Sequence, residues 1–216
     1  MSQVVPSELL KCDSIELRVG YRSLIRKFSF ALHSGESAAV VGPNGLGKTT
    51  LLRALCGISR PYRGSVHLSG AMLWPEKNDA VLLDVCFLAS QPALFAEHSV
   101  LSNLEFYLRS LGRPFDLQAV HLALKEVGLA ESSAQTARTL STGQKRRLTL
   151  AFVMLAKPRL ILLDEPTNGL DVKGVELCLS TLEALRSEGS GILVATHDQK
   201  LMNWCKHQID LKEWAP

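Results

Sequence analysis

Lys48 and Thr49 close the octet Gly42-Pro43-Asn44-Gly45-Leu46-Gly47-Lys48-Thr49, and Thr50 follows it. Glycines at this spacing let successive backbone N–H groups turn inward around phosphate oxygens, and a helix opening at Lys48 adds the positive end of its dipole. The lysine is expected to neutralise terminal phosphates, and the Thr49 hydroxyl to ligate a divalent cation. Over a hundred positions later the apolar run Leu160-Ile161-Leu162-Leu163 delivers Asp164 and Glu165. A strand that ends in two carboxylates at the edge of a sheet suits cation binding and activation of water: Asp164 would hold Mg²⁺ through water, and Glu165 would polarise the attacking water. His197 stands just past a third apolar run, Ile192-Leu193-Val194-Ala195-Thr196.

One further motif narrows the chemistry. Leu140-Ser141-Thr142-Gly143-Gln144 lies 23 residues before Asp164, counted from Ser141. Its physics is again anion binding at a helix start, with the Ser141 hydroxyl and the Gly143 N–H as donors and the helix from about Gln144 as dipole. Taken with the phosphate cradle, the carboxylate pair and His197, it resembles the signature of the ATP-binding-cassette (ABC) ATPases, usually Leu-Ser-Gly-Gly-Gln, and the resemblance covers almost the whole chain. It implies ATP and Mg²⁺ as ligands, and a head-to-tail dimer in which the signature meets the ATP of a second copy. It also implies a switch role for His197, a γ-phosphate and Mg²⁺ sensing role for Gln91, and a place at the dimer seam for Asn168-Gly169-Leu170-Asp171. Tyr21 is read as stacking on adenine or else packing in the side sheet. Two residues depart from the pattern. Leu46 stands inside the cradle, and Thr142 adds a Cβ where a close backbone approach is wanted, which is expected to slow or weaken closure.

The elements that must position these groups are legible in outline. Ser37 to Val41, Val85 to Ala89, Leu160 to Leu163 and Ile192 to Thr196 have the length and continuity of strands buried on both faces. Helical patterns at Thr49 to Leu55 and Gln144 to Ala156 lie between them, the second stopped by Lys157-Pro158. This alternation predicts an α/β fold of the P-loop NTPase kind with a mostly parallel sheet. Residues 12 to 32 and 64 to 73 read as short alternating strands of an antiparallel side sheet. Residues 92 to 157, with helical pieces at Ser102 to Leu111 and Leu117 to Val127 and a loop at Ala130 to Thr139, read as an inserted helical subdomain. The chain 1–216 is thus expected to be one nucleotide-binding domain, its core formed by 1–91 and 158–216.

Composition bounds the setting. With 216 residues, 46% of them hydrophobic, the chain can bury a substantial core. The apolar stretches Ala80 to Ala89 and Leu148 to Ala156 fall short of the ~18 residues of a membrane span. A net charge of +3 is too slight to point to nucleic acid, and none is expected as a partner. Five scattered cysteines without a Cys-x-x-Cys pair predict reduced, mostly buried thiols. Residues Met1 to Glu8 lack the basic start and apolar core of a secretory leader. The expected setting is the cytoplasmic face of an inner or plasma membrane, or the matrix side in an organelle.

The resemblance implies an ATPase subunit that drives a separately encoded membrane protein. The 19 residues after His197 leave no room for a regulatory module. Leu94 to Leu101 and Asn103 to Tyr107 would supply the surface for a short helix of the membrane subunit, or else pack as subdomain core. The length, the run Ser141 to Leu148, the segment Asp171 to Val175 and Asn103 to Tyr107 are similar to the ATPase of the haem exporter used in cytochrome c maturation. Other readings are a soluble ABC ATPase acting on ribosomes or DNA and a nucleotide-gated scaffold. Lys145-Arg146-Arg147 is read as attracting nucleotide, as facing the opposing subunit, or as a solvated charged face.

Overall fold

Four strands with parallel neighbours converge on one edge of a sheet, and that edge carries most of the chemistry. The computed structural model describes residues 7–216; the leader reading at Met1 to Glu8 falls largely outside them. The sheet has the order β6 (Val85–Leu88), β7 (Leu160–Asp164), β8 (Gly191–Ala195), β3 (Ser37–Val41), β9 (His207–Asp210), and every pairing in it is parallel. Parallel strands share a carboxyl edge, so the segments that follow β3, β6, β7 and β8 emerge side by side there.

Alternation along these strands feeds two cores. Ala38, Val40, Leu160, Leu162, Leu193 and Ala195 pack with α1 (Lys48–Leu55) and the side sheet. Ala39, Ile161, Leu163, Ile192 and Val194 pack with helices on the opposite face. The strands are therefore buried on both faces, as their unbroken apolar runs predict.

The side sheet is antiparallel, in the order β2 (Arg22–His33), β1 (Glu8–Val19), β4 (Arg63–Leu68), β5 (Ala71–Trp74). Its first two strands are 12 residues each, longer than the short strands expected. Their register shifts repeatedly, between Cys12 and Ile15 for one, which breaks the alternation that would announce their length in the sequence.

Between β6 and β7 come α2 (Val100–Ser110), α3 (Leu117–Glu126) and α4 (Thr142–Ala156). Their apolar faces, among them Leu104, Leu108, Val120, Leu124, Leu148 and Val153, join the same core as one face of the parallel sheet. Asn103, buried on α2, pins the loop before it by accepting from the Phe95 N–H at 2.8 Å and donating to the Phe95, His98 and Ser99 carbonyls. The stretch Ala130 to Thr139, expected as loop, holds two 3-10 turns. A third occupies Asp79–Asp84, in the apolar run before β6.

After α5 (Val172–Ser187) and β8, the chain adds α6 (Gln199–Trp204) and the edge strand β9, neither of which the sequence pattern announces. All five cysteines are free, and Cys12, Cys86, Cys178 and Cys205 are buried. Among the described residues no helix is long and apolar enough to cross a membrane.

Candidate active site

Gly42, Gly45 and Gly47 all take positive φ, at 141°, 80° and 109°. Gly47 is the N-cap of α1 and supplies no side-chain acceptor, so the first N–H groups of that helix stay open to a ligand. Leu46 is half-buried against the core beneath, and a Cβ at Gly42 would stand 3.0 Å from its methyl. The leucine therefore packs under the cradle and leaves its mouth clear. Pro43, Asn44 and Gly45 form the exposed rim. Lys48 is buried, and its Nζ donates to the Gly42 carbonyl at 2.6 Å and the Pro43 carbonyl at 3.3 Å, arching over the loop it belongs to.

A cleft of about 450 Å³ opens above this loop. Lys48, Thr49, Thr50, Ser90, Asp164 and Glu165 line it, together with Val19, Arg22 and Leu24. The Thr49 hydroxyl donates to Asp164 Oδ2 at 2.9 Å, joining residues 115 positions apart, and Asp164 is buried. Glu165 holds φ at 48°, unusual for a residue with a side chain, and its N–H donates to the Ala195 carbonyl at 2.8 Å. Glu165 Oε1 lies 2.8 Å from His197 Nδ1, while Oε2 is buried with no protein partner. The carboxylate side chain is 13% exposed and the histidine 69%. Two hard oxygen ligands in contact and an orphaned carboxylate oxygen beside them fit Mg²⁺ and an ordered water.

Not every expected residue reaches the cleft. Gln91 is exposed just after β6, and its neighbour Ser90 lines the cleft instead. Tyr21 is fully exposed at the β1–β2 hairpin, which excludes packing in the side sheet; Val19 and Arg22 on either side of it line the cleft. Nothing in the sequence distinguishes Val19 for this position, because a lone valine at a strand end reads as packing.

Ser141, Thr142, Gly143 and Gln144 lie outside the cleft lining of their own chain. The helix starts at Thr142, two residues earlier than expected, because Ser141 caps it: the Ser141 Oγ accepts from the Gln144 N–H at 3.2 Å and Gln144 Oε1 accepts from the Ser141 N–H at 2.9 Å. With a lone pair so engaged, the Ser141 O–H is free to donate outward. Thr142 has a place to go. Gly169, at φ 79°, leaves room for its methyl, since a Cβ there would stand 3.1 Å away. Asp171 caps α5, accepting from the Gly174 N–H and from Arg147 Nη2, each at 2.9 Å, and these two bonds hold its carboxyl below the usual aspartate range.

The basic run Lys145-Arg146-Arg147 is no solvated face. Arg147 pairs with Asp171, and Arg146 is buried, donating to the Ala89 and Ser90 carbonyls.

This fold and this set of groups define a nucleoside-triphosphatase, and residues 25–168 match the ABC transporter family. The chain belongs to that family and is an ATP-binding, ATP-hydrolysing subunit. It is 34% identical over 199 residues to the cytochrome c biogenesis ATP-binding export protein CcmA of Nitrosomonas europaea, covering 92% of each chain. It is 35% identical over 192 residues to CcmA 2 of Cupriavidus metallidurans, covering 88% of this chain and 90% of that one. Among solved structures, a dimeric ATP-binding cassette in a post-hydrolysis state with ADP and Pi superposes with a TM-score of 0.84 at 23% identity, covering 94% of this chain and 95% of that one. That likeness establishes the fold.

Proposed function

We propose that this chain is the ATPase of an exporter serving cytochrome c biogenesis, with haem as the cargo, and that two copies close on two ATP molecules. The reading of the cargo is supported by the identity to the two CcmA proteins along nearly their whole length. The reading of the chemistry is carried by one observation: Thr49–Asp164 and Glu165–His197 stand paired beside Lys48, while Ser141 lies outside the lining of that cleft.

In this scheme Lys48 leaves its loop carbonyls for the β- and γ-phosphates, exchanging neutral acceptors for charged ones. Thr49 and Asp164 hold Mg²⁺, with Gln91 completing the set when its loop moves in; the ion would neutralise charge on the phosphates. Glu165 orients the attacking water, and His197, hydrogen-bonded to it, fixes the carboxylate and contacts the γ-phosphate. Ser141 and Gly143 of the second copy donate to that phosphate, and Asp171 lies near the seam. Residues 92–157 act as the moving subdomain in this scheme.

The membrane partner would dock in a groove of about 480 Å³ lined by Ala89, Pro92, Leu94, Tyr107, Leu111 and Phe152. Phe95 and Phe106 pack edge to face beside it at 4.6 Å between centroids, and both are exposed. An apolar groove with exposed aromatics at its rim suits a short helix. In this reading the chain works on the cytoplasmic or matrix face. The test is purification of the tagged protein from detergent-solubilised membranes. Recovery with an integral membrane protein is expected, and recovery with ribosomes alone would overturn the reading.

A further inference from the structure

Arg146 sits in the second turn of α4, five residues after Ser141, and is 4% exposed. Its Nη1 donates to the Ala89 carbonyl at 3.0 Å and its Nη2 to the Ser90 carbonyl, while Nε has no partner. Both acceptors are neutral. No carboxylate lies within ion-pair distance of the guanidinium among the described residues, and burial lowers its pKa, with Asp164 as the leading influence raising it. A guanidinium buried against neutral carbonyls alone is a costly way to fill a core, because an apolar side chain of similar volume carries no such desolvation penalty.

The position of the two carbonyls gives the expense a use. Ala89 and Ser90 are the residues between β6 and Gln91, and Ser90 lines the cleft. A single planar fork therefore spans from the strand-end loop that carries Gln91 to the helix whose cap is Ser141. Two parallel donors on one rigid group fix orientation as well as distance, which a single lysine nitrogen does not. We propose that Arg146 is a positioning residue that locks the Gln91 loop to the signature helix, so that displacement of the loop when nucleotide arrives turns Ser141 toward the opposing copy. The proposal rests on the roles given above to Gln91 and Ser141.

The test uses the full chain with Arg146→Met, which keeps volume and removes every donor, and Arg146→Lys, which keeps charge and loses the fork. Affinity for a fluorescent ATP analogue is expected to stay within about 2-fold of wild type, since no cleft residue changes. Turnover at saturating ATP, well below the melting temperature, is expected to fall ~10- to 100-fold, the range for misplaced but intact machinery. Arg146→Lys should recover part of it. The deciding measurement is the cycle with Gln91→Ala: the double variant should be no slower than Gln91→Ala alone, because loop and helix then have nothing left to communicate.

Unchanged turnover in both Arg146 variants, or losses that multiply in the double variant, would overturn the proposal. If Arg146→Met does not fold, as circular dichroism would show, Arg146→Lys carries the same cycle. Wild-type turnover in Gln91→Ala would instead overturn the role of Gln91, and the inference with it.

Discussion

The cleft and the signature face are built on opposite plans. At the cleft, Lys48, Thr49, Asp164, Glu165 and the adjoining His197 come from three strand ends; Thr49 already touches Asp164 and Glu165 touches His197, with Lys48 held by the Gly42 carbonyl and Glu165 by that of Ala195. On the signature face, Ser141 is tied only to its own helix by the capping box, and its neighbours Thr142 and Gly169 pack on each other. One region brings its groups together within the chain; the other presents an exposed hydroxyl that, in the proposed scheme, would serve a second molecule. Under the proposed two-copy scheme, such a division would keep an isolated chain from hydrolysing efficiently, because the Ser141 and Gly143 donors would reach the γ-phosphate only on association.

Breaking the catalytic machinery of either region should cost most. Glu165→Gln keeps the shape of the side chain and the contact with His197 but removes the carboxylate that would take a proton. Turnover should fall by at least ~100-fold while ATP affinity holds. A pre-steady-state measurement showing near-normal hydrolysis would remove Glu165 from the role of base. The second experiment joins the two regions. Lys48→Ala and Ser141→Ala should each be inactive, yet an equal mixture should regain hydrolysis, because a mixed dimer holds one pocket with both groups intact. No recovery on mixing, in chains shown by light scattering to exchange, would mean that Ser141 serves its own cleft.

How far the sequence carried differs between the same two regions. The strands β3, β6, β7 and β8 read directly, because burial on both faces leaves unbroken apolar runs, and the cleft residues follow those strands at once. The fate of the basic run did not read. Whether Arg146 meets water or the Ala89 carbonyl depends on a contact 57 positions away, and a charge triplet looks the same in either case. Of the two readings of Tyr21, packing in the side sheet is excluded by its full exposure, and the cleft lining next to it falls to Val19 and Arg22, which no sequence signal marks. The strand β9 escaped notice because His207-Gln208-Ile209-Asp210 has only one apolar residue, and its pairing with β3 supplies the strand character.

The smallest effect is expected at the amino edge of the parallel sheet, opposite the chemistry. Glu36 joins the turn before β3 to the start of β9: it accepts from Lys206 Nζ at 2.6 Å and from the His33 N–H at 3.1 Å, with the His33 and His207 rings nearby. Burial alone would raise its pKa, but Lys206 and then His33 overcome that and hold it at about 2. An unfolded glutamate titrates near 4.3, so this group stabilises the fold above about that pH, and the contribution is lost as pH falls from there toward 2. Glu36→Gln should therefore lower the melting temperature at pH 7 by no more than about 3 °C, since a partly solvated network is worth little, and the gap between variant and wild type should close as pH approaches 2. Turnover at pH 7 should not change, because β3 carries its cradle at the far end. A Glu36→Gln protein that lost hydrolysis at unchanged stability would show that the two edges of the sheet are coupled, and that the cleft is less self-contained than its paired residues imply.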